Sequence, residues 1–205
     1  LREIPLQSKA PEESEPEILW MERIAQGDEE AFRCLVTRYE KQILNLAYRY
    51  CGDAQASQDL VQEIFLKVYR SAGRWKPGAR FSTWLFRVAV NHCLNDQRDR
   101  KREPVVSANG IQTERYQGFE WGVRARGGHT SESAEADWRK REIASRVRKA
   151  ILALPPRQRM AVILHRYCGL SYKKIAERME CSQGAVESLL VRAVENLRAA
   201  LGDLL

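Results

Sequence analysis

Long apolar runs are missing from this chain of 205 residues. No stretch approaches the roughly eighteen apolar residues that a membrane-spanning helix needs, and the N-terminus lacks the basic-then-apolar layout of a secretion signal. With 30% of its residues charged, the chain is expected to be soluble and to stay in the cytoplasm. Histidine is scarce. His92, His129 and His165 fall in different segments without a matched nucleophile or carboxylate, so no enzyme is expected. The five cysteines, at 34, 51, 93, 168 and 181, are odd in number and scattered. His92 and Cys93 are adjacent, but no second pair stands at metal spacing, which leaves four-ligand zinc unsupported. No cofactor is expected, and the thiols read as buried and free. No credible strand pattern occurs either.

What the sequence does hold is helical periodicity, and the clearest case is 169–201. A first helix, about Ser171 to Met179, puts Ile175 and Met179 on one face, and Ala176 allows a close crossing. Glu180, Cys181 and Ser182 interrupt it, with Ser182 able to cap the next helix. There Val186, Leu190, Val194 and Leu197 recur at spacings of four, four and three, while Glu187, Ser188, Val191 and Arg192 face outward near the helix start. This is the layout of a helix-turn-helix, whose second helix enters the major groove.

Charge supports a nucleic-acid partner. The net charge is +7, and residues 139–170 hold nine Lys and Arg against one acid. A positive helical surface beside a groove-reading helix fits a protein positioned by phosphates and guided by a few base contacts.

The chain divides at its changes of pattern. Residues 1–19, with three prolines and five acids, read as a flexible lead. Periodicity begins at Trp20: Phe32, Leu35 and Tyr39 form one face and, after a soft join, Ile43, Leu46, Ala47 and Tyr50 continue it. Gly52 and Asp53 break the run, with Asp53 a cap for a long helix over 54–71. That helix buries Leu60, Val61, Ile64, Phe65 and Val68 and turns Asp59, Gln62 and Glu63 outward. The loop at 72–80 combines Trp75 with Arg74, Lys76 and Arg80; the ring either stacks a displaced base beside phosphate-holding cations or tucks under the loop. Phe81 starts another helix, with Ser82 or Thr83 near its cap. Trp84, Leu85, Val88 and Ala89 supply its buried side, and Asn91, Asn95, Arg98 and Arg102 descend the other. Residues 104–138 show no period and read as a linker whose aromatics dock on a partner. The second domain, 139–205, opens with a basic helix carrying Ile143, Val147, Ile151 and Leu154. Pro156 starts the next helix, which turns Met160, Ile163 and Leu164 inward. The expected fold is all-α: two small helical domains, 20–103 and 139–205, joined by a flexible linker.

Four motifs, in this order, resemble the extracytoplasmic-function sigma factors of the bacterial sigma-70 family: AFRCLVTRYEKQILNLAYRYCGD at 31–53, DLVQEIFLKVYR at 59–70, FSTWLFRVAVNHCLNDQRDRKR at 81–102, and ALPPRQRMAVILHRYCGLSYKKIAERMECSQGAVESLLVRAVENL at 153–197. The resemblance implies a protein that binds core RNA polymerase through its beta and beta' subunits, directs it to promoters and helps melt the −10 element. It implies core docking by Asp59, Gln62 and Glu63. Capture of single-stranded −10 bases falls to the Trp75 loop, with Lys76 and Arg80, and to the helix with Asn91, Asn95, Arg98 and Arg102. The duplex −35 element falls to Glu187, Ser188, Val191 and Arg192. It also implies control by a separate anti-sigma factor. The recognition helix departs from the common family pattern: GAVESLLVRAV at 184–194 stands where many members read GTVKSRLHRAR. Glu187 cannot attract phosphate but can accept from cytosine N4, so docking is expected to rely on the basic segment before it.

A one-component transcription regulator binding duplex operator DNA would share the helix-turn-helix. It would not need the Trp75 loop or the outward face at 59–63. A non-DNA adaptor of the same fold would fail to support initiation.

Overall fold

The computed structural model describes residues 16–78, 80–100 and 131–202, apart from the side chains of 97–100 and 131–137. The described residues contain eight α-helices and no strand: α1 (Pro16–Ala25), α2 (Glu29–Cys51), α3 (Ala54–Ser71), α4 (Phe81–Arg100), α5 (Ser131–Ala153), α6 (Pro156–Val162), α7 (Tyr172–Met179) and α8 (Gln183–Leu201). A 3-10 turn at Ala72–Arg74 follows α3, and α6 continues as a π-helical turn over Ile163–Tyr167.

Local chemistry sets most of the boundaries. Asp28 caps α2, accepting from the Glu30 and Ala31 amides at 2.9 and 3.0 Å, and Gly52 closes it in the left-handed region at φ 75°. Asp53 caps α3 through the Ala56 amide at 2.7 Å. Ser171 and Ser182 cap α7 and α8. Each cap supplies an acceptor to amides that a helix start leaves without an intrahelical partner.

Several expectations need correction. The soft join inside 29–51 is absent: α2 is one helix, with Leu35, Tyr39, Ile43, Leu46, Ala47 and Tyr50 buried along a single side. The lead ends earlier than expected. α1 begins at Pro16, and Glu17 is only 3% exposed. Its carboxylate accepts from the Tyr39 hydroxyl at 2.7 Å and pairs with Arg38 Nε at 2.9 Å, so partners on α2 hold this acid inside. The carbonyl that opens α4 belongs to Arg80, which accepts from the Thr83 and Trp84 amides; Ser82 and Thr83 already lie within the helix. α5 starts at Ser131, so the last eight residues assigned to the linker are helical. Residues 101–130, and with them most of the linker and Arg102, lie outside the described residues. In α8 the inner stripe runs through Val186, Leu190 and Ala193, while Val194 is 44% exposed. Ala193 is fully buried in its place, so the stripe rotates by one residue. Ile143, expected inside, is exposed near the start of α5. Of the five thiols only Cys93 is fully buried; Cys34, Cys51, Cys168 and Cys181 are half-buried.

α1 to α4 pack as one helical unit, with α2 against both α1 and α3 and α4 closing the bundle. α5 to α8 form a second, in which α8 packs on α5, α6 and α7. The two units share one continuous set of buried apolar residues: α4 lies against α6 and α7, and the π turn touches α2.

Candidate promoter and polymerase interface

Asp59, Gln62 and Glu63 are all exposed on α3. Spacings of three and four residues place them on one face, and Leu66, which continues that face, is 49% exposed. An exposed leucine beside three polar side chains is the composition of a docking patch. Leu66 was not singled out from sequence, although a leucine left over from the inward stripe was a readable signal. The face is also ordered from behind: Gln55 Nε2 donates to Asp59 at 3.1 Å, and His92 Nε2 on α4 lies 2.7 Å from a Glu63 carboxylate oxygen.

Trp75 is half-buried and packs against the core. Its ring centroid lies 5.9 Å from Phe81, nearly edge-on, and 6.1 Å from Trp84. Phe81 in turn lies 5.5 Å from both Trp84 and Tyr39. The tryptophan is thus the outer member of an aromatic cluster rooted in α2 and α4, which matches the tucked reading of the loop more than a freely projecting ring. Lys76 and Arg80, on either side of it, are exposed. On α4, Asn91 is half-buried and Asn95 exposed, four residues apart and so on one face. Arg98 lies on the same helix, and its side chain is outside the described set.

In the second unit the helix-turn-helix is formed by α7 and α8. Glu180 turns the chain between them in the left-handed region, at φ 49°. Glu187, Ser188, Val191 and Arg192 are exposed on the first half of α8, Val191 by 53%. The Ser188 hydroxyl donates to the Gly184 carbonyl at 2.9 Å, which leaves its oxygen able to accept.

The basic segment before the helix-turn-helix is split in its use. Arg139, Lys140, Arg141, Lys149, Arg157 and Arg166 are exposed. Arg148 and Arg159 turn inward to the end of α2: Arg148 donates to the Gly52 carbonyl, and Arg159 donates to the carbonyls of Tyr50 (2.9 Å), Leu152 and Leu154. Burial pulls the Arg159 guanidinium below its ordinary pKa, opposed by Tyr50 and Cys51. The expectation that this segment serves phosphates as a block is therefore too broad.

Among the described residues no helix is long and apolar enough to cross a membrane.

Comparison with known proteins agrees with this arrangement. Residues 35–103 match the family described as Sigma-70 region 2, and residues 144–197 match Sigma-70, region 4. The chain is 38% identical over 188 residues to the RNA polymerase sigma-H factor of Pseudomonas aeruginosa, covering 90% of this chain and 93% of that protein. It is 34% identical over 178 residues to the ECF RNA polymerase sigma-E factor of Escherichia coli, covering 85% and 88%. Among solved structures, CnrH in complex with the cytosolic domain of CnrY superposes with a TM-score of 0.59 at 22% identity, over 92% of this chain and 99% of the other. The sigma factor RpoE of Bartonella quintana, solved with the anti-sigma factor NepR, gives 0.57 at 21%, over 83% and 96%. The last two establish likeness of fold. A one-component regulator does not account for a region 2 match across the first unit. The chain belongs to the sigma-70 family, in its extracytoplasmic-function group, and acts as an RNA polymerase sigma factor in promoter-specific initiation.

Proposed function

We propose that the two helical units divide promoter recognition between them on the polymerase. The observation that carries this reading is the separation of three surface faces: the exposed 59–66 face on α3, the face on α4 with Asn95 exposed and Asn91 half-buried, and the exposed 187–192 face on α8. The α3 face docks on core polymerase. Asp59 and Glu63 supply charge, Gln62 hydrogen bonding and Leu66 an apolar anchor. The α4 face, with Lys76, Arg80, Arg98 and Arg102, holds the single-stranded −10 element. Trp75, fixed by Phe81 and Trp84, offers its outer edge to an unstacked base. Because such bases bind only once unpaired, their binding offsets the few kcal/mol lost per disrupted step and so favours opening. On duplex −35 DNA, Arg192 donates to base edges or phosphate, Ser188 and Glu187 accept from base amino groups, and Val191 contacts a thymine methyl.

The domain bounds that follow are 20–103, extended at its start by α1, and 139–205, preceded by the first turns of α5. The protein works in the cytoplasm on the nucleoid, catalyses no covalent step itself and needs no cofactor. An anti-sigma factor holds it inactive; the complexes of CnrH with CnrY and of RpoE with NepR support that reading by analogy. Transcription in vitro with purified core polymerase and genomic DNA tests the proposal. Starts at specific promoters that require this chain support it, whereas tight operator binding without any effect on core contradicts it.

A further inference from the structure

The two carboxylates of the α3 face are held in different ways. Asp59 takes its hydrogen bond from Gln55, one turn away on the same helix. Glu63 instead meets a side chain from another helix: His92 Nε2 lies 2.7 Å from one of its oxygens, across 29 residues of sequence. The placement of both residues follows from the buried stripes of their helices. On α4, Leu85, Ala89, Val90 and Cys93 form the inner side, and His92, one residue from Cys93 and three from Ala89, falls at its edge. On α3, Glu63 stands next to the fully buried Ile64 and three residues from Leu60. The two side chains thus meet at the seam where α3 packs on α4.

Exposure rises from the histidine to the glutamate. The His92 side chain is 22% exposed and that of Glu63 58%. A largely enclosed ring with two torsions has little freedom, whereas a glutamate with three torsions on an open surface has much. A carboxylate accepts and does not donate, so the ring presents Nε2–H to it, whether or not Nδ1 also carries a proton. One hydrogen bond uses a fraction of the carboxylate's lone pairs, and the exposed remainder accepts from a second donor. Immobilising a long side chain on complex formation costs entropy, which a contact already made in the free protein reduces.

We infer that His92 is a positioning residue for polymerase docking: from the α3/α4 seam it holds the Glu63 carboxylate in the orientation that a basic, donor-rich surface of the core enzyme receives. This role rests on the docking proposed for the α3 face, and the test keeps the two apart.

In the full chain, His92→Leu fills the space of the ring without a donor and suits a helix. His92→Gln returns a donor, because its amide nitrogen reaches about as far as the ring Nε2. His92→Leu is also combined with Glu63→Ala, and Glu63→Ala is made alone. Affinity for purified core polymerase is read by titration of labelled protein, with circular dichroism as the check on folding. His92→Leu should lower core affinity about three- to tenfold, and His92→Gln should recover most of that loss. Once Glu63 is alanine, His92→Leu should change affinity by less than about twofold, as expected when one residue acts through the other. A residue that only packs α4 would weaken binding equally in both backgrounds and would gain nothing from glutamine. Unchanged affinity in His92→Leu, an equal loss with and without Glu63, or no recovery in His92→Gln would each overturn the positioning role, while a loss in Glu63→Ala would leave the docking face standing. Core binding by Glu63→Ala at wild-type strength would instead overturn the role of Glu63 in docking, and that of His92 with it.

Discussion

Arg159 on α6 donates through Nη1 to the Tyr50 carbonyl in the last turn of α2, at 2.9 Å and across 109 residues of sequence. A guanidinium is among the costliest groups to bury, and here carbonyl oxygens and an aromatic face receive it. The pairing ties the sigma-70 region 2 unit to the region 4 unit.

Replacing that arginine exposes its weight. Arg159→Ala removes a donor from three carbonyls and opens a gap beside Tyr50. A loss of about 3 kcal/mol is expected, lowering Tm by roughly 6 to 12 °C. Calorimetry of the full chain measures it, and a shift under about 2 °C would show that the contact contributes little.

Near the middle of α2, Tyr39→Phe leaves the buried Glu17 carboxylate without its hydroxyl donor, though still paired with Arg38. The expected cost is about 1 to 2 kcal/mol. Hydrogen exchange should rise first in α1, which this contact fastens. Uniform exchange across α1 to α4 would contradict a local role.

Charge reversal tests the docking face. With Asp59 and Glu63 both changed to Lys, core affinity should fall at least about tenfold, since like charges across an interface cost several kcal/mol. Circular dichroism should not change, because both side chains are exposed. Leu66→Asp should weaken core binding similarly, which a titration of labelled protein with core polymerase would read out.

Alkaline pH gives a separate handle on packing. Burial pushes the Cys93 thiol well up, with Cys51 and Asp96 adding to it, and burial raises Cys168 against the opposing pull of Arg178 and Arg49. Both folded values lie above the unfolded one, so their contribution is full below the ordinary thiol pKa of about 8.5 and is lost as pH rises from there toward the folded values. The unfolded chain releases these protons first. Stability should therefore fall above about pH 8.5, and Cys93→Ala should flatten the slope. Urea midpoints between pH 7 and 10 would show it; an equal slope in the variant would remove Cys93 from the account.

Arg192→Ala should weaken promoters that depend on −35 contact by about 1 to 3 kcal/mol while leaving core binding unchanged. Footprints on promoters with intact and scrambled −35 sequence separate the two effects. Equal losses on both would place Arg192 outside base reading.

Much of this fold was legible because its signals are local. Asp53, Ser171 and Ser182 announced three helix starts, and the stripe Leu60, Ile64, Phe65 and Val68 fixed the buried side of α3. Misreadings arose where a distant partner decides. Glu17 fell inside the expected flexible lead because the donors that hold it sit on α2. Val194 and Ala193 fit a helical stripe equally well, and the structure buries Ala193. Arg148 and Arg159 looked like phosphate ligands because their real acceptors are backbone carbonyls, which every residue carries and no sequence pattern marks. The outward faces at 59–63 and 187–192 were found correctly as exposed surface. Trp75 was read with both outcomes open, and Phe81 and Trp84 hold it half-buried.

The most direct measurement is footprinting on a promoter chosen by mapped transcript starts, with chain alone, core alone and both together. The account predicts joint protection of the −35 and −10 elements, with unpaired bases at −10, only when both are present. A strong, sequence-specific duplex footprint from the chain alone that core polymerase neither extends nor opens would contradict it.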